Sequence, residues 1–363
     1  FGRLKNNVKD NRSYFIEELL GTSKENFNFH FLGLFNEQPK WNYDFNNELM
    51  ISKTALNLSR GGPSKYSSSN RIATIMGTGS GTNGYGQSLA SAQVSAGSVI
   101  TAAQFDNLRT DINKASNHQS GTNASIGDIA AGQIIGADAS GTGLGASLNV
   151  TTEGFNDYDT ATGVIEANKL LINAGNSTVE AAITSSRTVA WNGTRTHTFT
   201  VDFADANQRR YFFNSGGEIR FSASVTGQSG AKSNDWATLL SNMGTIKFNY
   251  TTTTVTGTGT AQAIGSDDLT GTYQQIFIKS GSGVYAENDY NIEARHEGTG
   301  NKTLRFKIEF RDDDLGDDQG GAGSTGPIDE DVNGTLTSTI QQLRATGANV
   351  SVTSPTYTNS SNV

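Results

Sequence analysis

The chain has 363 residues, a formal net charge of −8 and no cysteine, which excludes disulfide stapling and thiolate metal sites. No basic block occurs, which argues against a nucleic-acid-binding surface, and no run of about 18 apolar residues is present to span a membrane. The apolar fraction of 34% is low beside the roughly 45–50% of ordinary globular chains, and the 42 glycines bring no side chain to pack, so the core is expected to be thin for the length or confined to part of it.

Residues 1–60 are rich in aromatics and asparagine. Residues 13–20 read as a short helix, capped by Ser13 and stopped by Gly21. Phe27, Phe29 and Phe31 alternate with Asn28 and His30, a strand pattern with one apolar face. Phe35, Trp41, Tyr43 and Phe45 extend the aromatic run. Two readings stand side by side. One is a small N-terminal core. The other is an arm that lays Phe27, Phe29, Phe31, Trp41 and Tyr43 on a partner chain, since aromatics bury much area at little entropic cost. The opening residue is Phe1 and not Met, in keeping with a processed or partial chain.

Residues 61–185 read as a glycine-rich and helical linker. A short helix is expected over 70–76. The loop 77–86 is dense in glycine but lacks the lysine of a phosphate-binding G-x-x-x-x-G-K-[ST] loop and follows no Val/Ile strand, so an irregular loop packed on its neighbours is expected. Residues 101–112 form the clearest helix, with Thr101 as N-cap and Phe105, Leu108 and Ile112 on one face. His118 is placed in a polar turn after it. A second glycine-rich stretch spans 121–145, and a helix is expected within 157–174 around Tyr158, Ile165, Leu170 and Leu171.

From about residue 186 the period shortens to two. The runs 197–203, 219–225, 246–250, 273–279 and 304–310 are strand-like, the last with apolar even and charged odd positions. Phe199, Phe221, Phe248, Phe306 and Phe310 are expected inside, with Arg305, Lys307 and Glu309 facing solvent or a partner. Gly216-Gly217, Gly281-Ser282-Gly283 and Asn288-Asp289 read as turns, and 235–243 as a short helix. Arg209 and Arg210 precede Tyr211, Phe212, Phe213 and the Gly-Gly turn. That block reads as a β-hairpin whose aromatics enter the core or a subunit seam, with an arginine paired to Asp202 or Asp205. After residue 331 a terminal strand or arm is expected, carrying Ile340, Leu343, Val350, Val352 and Tyr357. The fold class is therefore mainly β: an antiparallel β-sandwich over 186–330, preceded by a helical and glycine-rich N-terminal half and followed by the 331–363 arm.

Few residues suggest chemistry. The run Asp312, Asp313, Asp314, Asp317 and Asp318 is the one metal candidate. It misses the EF-hand spacing, so a solvated loop after a strand is expected, with at most weak calcium binding. The four histidines form no H-x-x-x-H or H-x-H pair, and no G-x-S-x-G elbow sits in a strand-to-helix context. A glycan hydrolase needs only two carboxylates about 5–9 Å apart, which spacing along the chain does not reveal. No cofactor and no catalytic residue is expected.

Residues 191–194 (Trp-Asn-Gly-Thr), the block from Val201 to Phe221, Gly257 to Ile264, residues 273–279 and Val332-Asn333-Gly334-Thr335-Leu336 resemble virion structural proteins of marine and freshwater tailed phages, including contractile-tailed phages of cyanobacteria. Ile72 to Gln87 and the helix near Phe105 continue the likeness, which covers about residues 66–357. Residues 1–60 lie outside it. The resemblance implies a non-enzymatic virion component of the tail, neck or baseplate, assembled in the host cytoplasm with copies of itself and other virion proteins. The alternative it leaves is a receptor- or carbohydrate-binding tail-fibre module that meets a host surface glycan.

Overall fold

A computed structural model describes residues 68–94, 101–131, 155–316 and 329–363. The helix expected over 13–20, the strand at Phe27–Phe31, the aromatics Trp41 and Tyr43, and Asp317 and Asp318 lie outside these residues. The described chain falls into two compact units. One comprises 68–70, 91–94, 101–109, 125–131 and 155–162; the other comprises 71–90, 110–124, 163–316 and 329–363.

Among the described residues, three α-helices precede the strands: α1 (Ser68–Met76), α2 (Ala102–Ser120) and α3 (Phe155–Ala167). At the start of α2 the Thr101 N–H donates to the Gln104 side chain at 2.9 Å, the return half of a capping box. In the first unit, Phe105 of α2 meets Tyr158 of α3 edge-on, with ring centroids 5.7 Å apart. The helix α2 runs past Ile112 to Ser120, so His118 lies within it and is fully buried. The polar turn expected there is corrected: Phe105, Leu108, Ile112 and Ala115 continue one buried stripe through polar neighbours.

The second unit holds two antiparallel six-stranded sheets. Its strands are β1 (Ser177–Val179), β2 (Ile183–Arg187), β3 (Arg195–Asp202), β4 (Glu218–Thr226), β5 (Ile246–Phe248), β6 (Thr253–Val255), β7 (Thr260–Ala261), β8 (Gln274–Ser280), β9 (Asp289–Glu297), β10 (Thr303–Arg311), β11 (Thr335–Ala345) and β12 (Thr356–Ser361). The first sheet runs β1-β11-β4-β5-β6, with β2 also on β11; the second runs β12-β3-β10-β9-β8-β7. Helices α4 (Ala206–Asn214) and α5 (Ala231–Met243) lie in the connections β3–β4 and β4–β5.

Packing across the layers makes this a sandwich. Phe306 of β10 sits 5.1 Å from Phe221 of β4 and 5.2 Å from Phe248 of β5, ring to ring. Leu304, Phe306, Ile308 and Phe310 are fully buried, while Arg305, Lys307, Glu309 and Arg311 are half-exposed, as the period of two requires. Phe199 is buried as well, so all five phenylalanines expected inside are there. Among the described residues, the inner faces of the two sheets hold much of the buried apolar content.

Three expectations change. Residues 206–214 form a helix and not one arm of a hairpin. Asp205 caps it, accepting from the Gln208 N–H at 2.9 Å, and Gly216 closes the following turn at φ +86. Three consecutive aromatics carry no period, so the sequence could not choose between the two. Residues 335–345 form an inner strand between β1/β2 and β4 and not an appended arm. Strand formation also begins at Ser177, before the boundary expected at 186.

Candidate functional site

The predicted interface residues of the Arg209–Tyr211 block turn onto their own chain. Arg210 Nη2 donates to the Thr78 carbonyl at 2.6 Å and to Asn207 Oδ1 at 2.9 Å. Tyr211 is buried against Gly86, whose φ of +70 and missing Cβ let the ring approach; a Cβ there would stand 2.4 Å from Tyr211 Cδ2. Arg209 lies among Tyr250 and Asp267, and burial pulls its pKa below the usual arginine value. The pairing expected with Asp202 or Asp205 is corrected: Asp202 takes Thr303 Oγ1–H and Lys302 Nζ, the latter at 3.3 Å, and Asp205 serves as a cap. The glycine-rich loop is filled by the protein itself, since Asn214 donates to the Gly81 carbonyl at 3.0 Å and Lys169 Nζ to Thr82 Oγ1 at 2.7 Å.

The acidic run is the most chemically loaded place in the described chain. Asp312 and Asp314 follow β10 and are buried, which corrects the solvated loop expected for them. Lys232, at the start of α5, is fully buried and points its ammonium into them. Its Nζ lies 3.0 Å from Asp312 Oδ1, 2.9 Å from Asp329 Oδ1 and 3.5 Å from Asp314 Oδ2, and it donates to the Asp314 carbonyl at 3.0 Å. The ammonium occupies the place among the carboxylates that a cation would take. Burial alone costs a lone ammonium several kcal/mol. It pulls the lysine pKa down, and the bonds to Asp329 and Asp312 more than reverse this. Burial pushes the Asp312 carboxyl up to about 6, against the pull of Lys232. Asp329 stays below the usual carboxylate range because it accepts from Lys232 and Asn192.

The frame around this cluster is stiff. Asn288 Oδ1 accepts from the N–H groups of Asp313 and Asp314, both at 2.9 Å. Ser233 Oγ accepts from the Asn333 N–H at 2.9 Å. One turn along α5, Trp236 packs against Trp191 and Phe310, at centroid separations of 5.2 and 6.3 Å. Sequence reasoning missed Lys232. The available signal was its place on the stripe Lys232, Trp236, Leu239/Leu240, Met243, where a lysine holds a core position.

The outer faces of β9 and β10 carry four basic groups (Arg295, Arg305, Lys307, Arg311) and four acidic ones (Asp289, Glu293, Glu297, Glu309). Lys307 stands opposite Glu293 in register and binds it at 2.5 Å. Arg305 reaches Glu297 at 2.7 Å, and Arg311 reaches Glu309 at 2.6 Å. Arg295 and Lys307 both sit over the Tyr273 ring, 4.8 and 5.1 Å from its centroid.

Two further polar places lie within the second unit. Ser338, His197 and Asn359 form a string across the layers. His197 Nδ1 accepts from Ser338 Oγ at 2.8 Å, and Nε2 donates to Asn359. Ser338 and His197 are fully buried, so the string ties β11 to β3 and β12. At the edge of the sandwich, a cavity of about 220 Å3 is lined by apolar residues including Ile183 and Phe199 and by the polar residues Glu180, Gln342, Ser354 and Tyr357.

Comparison with family models, with curated proteins and with solved structures finds no match. No helix among the described residues is long and apolar enough to cross a membrane.

Proposed function

We propose that this chain is a non-enzymatic structural subunit of a tailed-bacteriophage particle, placed in the tail, neck or baseplate and assembled in the host cytoplasm with copies of itself and other virion proteins. One observation carries the reading. The block whose residues resemble virion structural proteins is also the block that builds the sandwich: Phe203, Phe212 and Phe213 interlock edge-on, and Phe213 reaches Phe248 at 5.8 Å. The resemblance thus falls on the residues that make a packed scaffold, with its polar groups bound into the fold. In this reading residues 1–60, with Phe27, Phe29, Phe31, Trp41 and Tyr43, form the attachment region.

The test is deletion of residues 1–60, followed by sedimentation of assembled particles and limited proteolysis of the remaining chain. A structural subunit with this attachment region loses incorporation while residues 187–310 stay protease-resistant. Unchanged incorporation would remove the role given to residues 1–60. Absence of the chain from purified particles would remove the virion reading itself.

A second reading, a carbohydrate-binding fibre module, is favoured by the edge cavity, whose mixed apolar, carboxylate, amide and hydroxyl lining suits a ring-sized polar ligand. Saturation-transfer NMR with neutral monosaccharides distinguishes it. Transfer that is lost in Phe199→Ala or Gln342→Ala chains supports the module, and no transfer dismisses it.

A further inference from the structure

We propose that Lys232 and Asp312 join in an intramolecular isopeptide bond, a covalent link between helix α5 and the end of strand β10 that the folded protein forms without assistance. The reacting groups are already together. Lys232 Nζ is 3.0 Å from Asp312 Oδ1, and both side chains are fully buried. Among the described residues no hydrogen-bond donor besides Lys232 reaches the Asp312 carboxylate, so nothing else holds its carbon away from the amine. Well-oriented groups held in proximity reach effective molarities of up to about 10⁵–10⁸ M.

A third group is needed to move protons, and Asp329 has the place for it, with Oδ1 2.9 Å from Nζ and its side chain partly open to solvent. The chemistry balances as a condensation. Asp329 takes a proton from the Lys232 ammonium. The freed nitrogen lone pair attacks Cγ of the Asp312 carboxylic acid, and the Nζ–Cγ bond forms. A second proton leaves nitrogen and departs with the Asp312 hydroxyl as the Cγ–O bond breaks. The products are one amide, one water and a protonated Asp329, which returns its proton to solvent. No oxidant, reductant or cofactor takes part.

The surroundings favour this direction. Burial keeps a fraction of Asp312 in the acid form, the form with a departing hydroxyl. Asn288 clamps the backbone after Asp312, and Trp236, with Trp191 and Phe310, walls the start of α5. The full burial of Lys232 and Asp312 keeps the bulk water needed for the reverse hydrolysis from the link. The consequence is mechanical. Helix α5 follows β4 of the first sheet and β10 belongs to the second, so the bond fastens the two layers of the sandwich and closes the chain between residues 232 and 312.

The experiment is intact-mass spectrometry of the denatured full chain, followed by tryptic mapping. The expected result is a mass short by one water, a peptide containing Lys232 joined to the peptide that begins at Asp312, and no tryptic cleavage after Lys232. Lys232→Arg and Asp312→Ala chains should show their full masses, and Asp329→Asn should slow or stop the loss. A wild-type chain of full mass that is cleaved after Lys232 overturns the proposal, and this needs no variant to fold. A water deficit that persists in Lys232→Arg places the dehydration elsewhere and overturns it as well. An Asp329→Asn chain that condenses at the normal rate overturns the role given to Asp329.

Discussion

Acidification should destabilise the sandwich unit through His118, and the size of the effect follows from its surroundings. The ring is fully buried on α2, edge-on to Tyr85 at 5.1 Å. Its Nε2–H donates to the Ser215 carbonyl at 3.0 Å, while Nδ1 has no hydrogen-bond partner among the described residues. A protonated ring would carry a buried N–H with nothing to receive it, and burial accordingly lowers the pKa from 6.5 to about 4. The sign is that of a depressed group. Above pH 6.5 both folded and unfolded histidine are neutral and the stability is intact. Between 6.5 and about 4 the unfolded chain takes up a proton that the folded chain refuses, and stability falls. At about 1.4 kcal/mol per pH unit, that interval is worth about 3 kcal/mol, a large share of the 5–15 kcal/mol typical of a domain. Urea unfolding of wild type and His118→Gln at pH 7 and pH 4.5 measures it. The Gln amide can still donate to Ser215, so the variant loses some stability at pH 7 but should show a flatter pH profile. The difference isolates His118 from His197, whose burial lowers its pKa in the same direction. Parallel profiles in the two proteins would refute the reasoning.

Other outcomes follow from the packing. Phe306→Ala empties the contact shared by Phe221 and Phe248 and should cost about 3–5 kcal/mol in urea unfolding; a loss below about 1 kcal/mol would deny it a central place. Gly86→Ala forces a Cβ onto the Tyr211 ring at a left-handed φ and should lower stability by more than about 1 kcal/mol, read as a fall in melting temperature. Lys307→Ala on the half-exposed outer face should change stability by no more than about 1 kcal/mol, less still in high salt; a loss matching that of Phe306→Ala would contradict the assigned faces of β10.

The alternation in 197–203, 219–225 and 304–310 was enough to assign strands and to say which side of each is buried, because a pleated strand sends successive side chains to opposite faces whatever its neighbours are. The stripe Phe105, Leu108, Ile112 likewise placed a helix, though not its end: Ala115 and His118 are too weakly apolar to show that the buried face continues. Strand β9 follows the same period, with Tyr290, Ile292 and Ala294 alternating with Asn291, Glu293 and Arg295, so it is as legible in the sequence as 304–310 although the expected strands omit it. The Arg209–Phe213 block offered no period, and its helix is decided by the Asp205 cap and by the Gly86 surface that receives Tyr211. Lys232 precedes the helix expected over 235–243 and lies in the first turn of the one that forms. Only folding brings Asp312 and Asp329, remote in sequence, to its ammonium, and only that encounter makes burial of the charge tolerable. Local periodicity thus reported which face of an element is buried, whereas sheet order, the inner position of β11 and the Lys232 cluster depended on tertiary structure, since each is a choice of partner from distant parts of the chain.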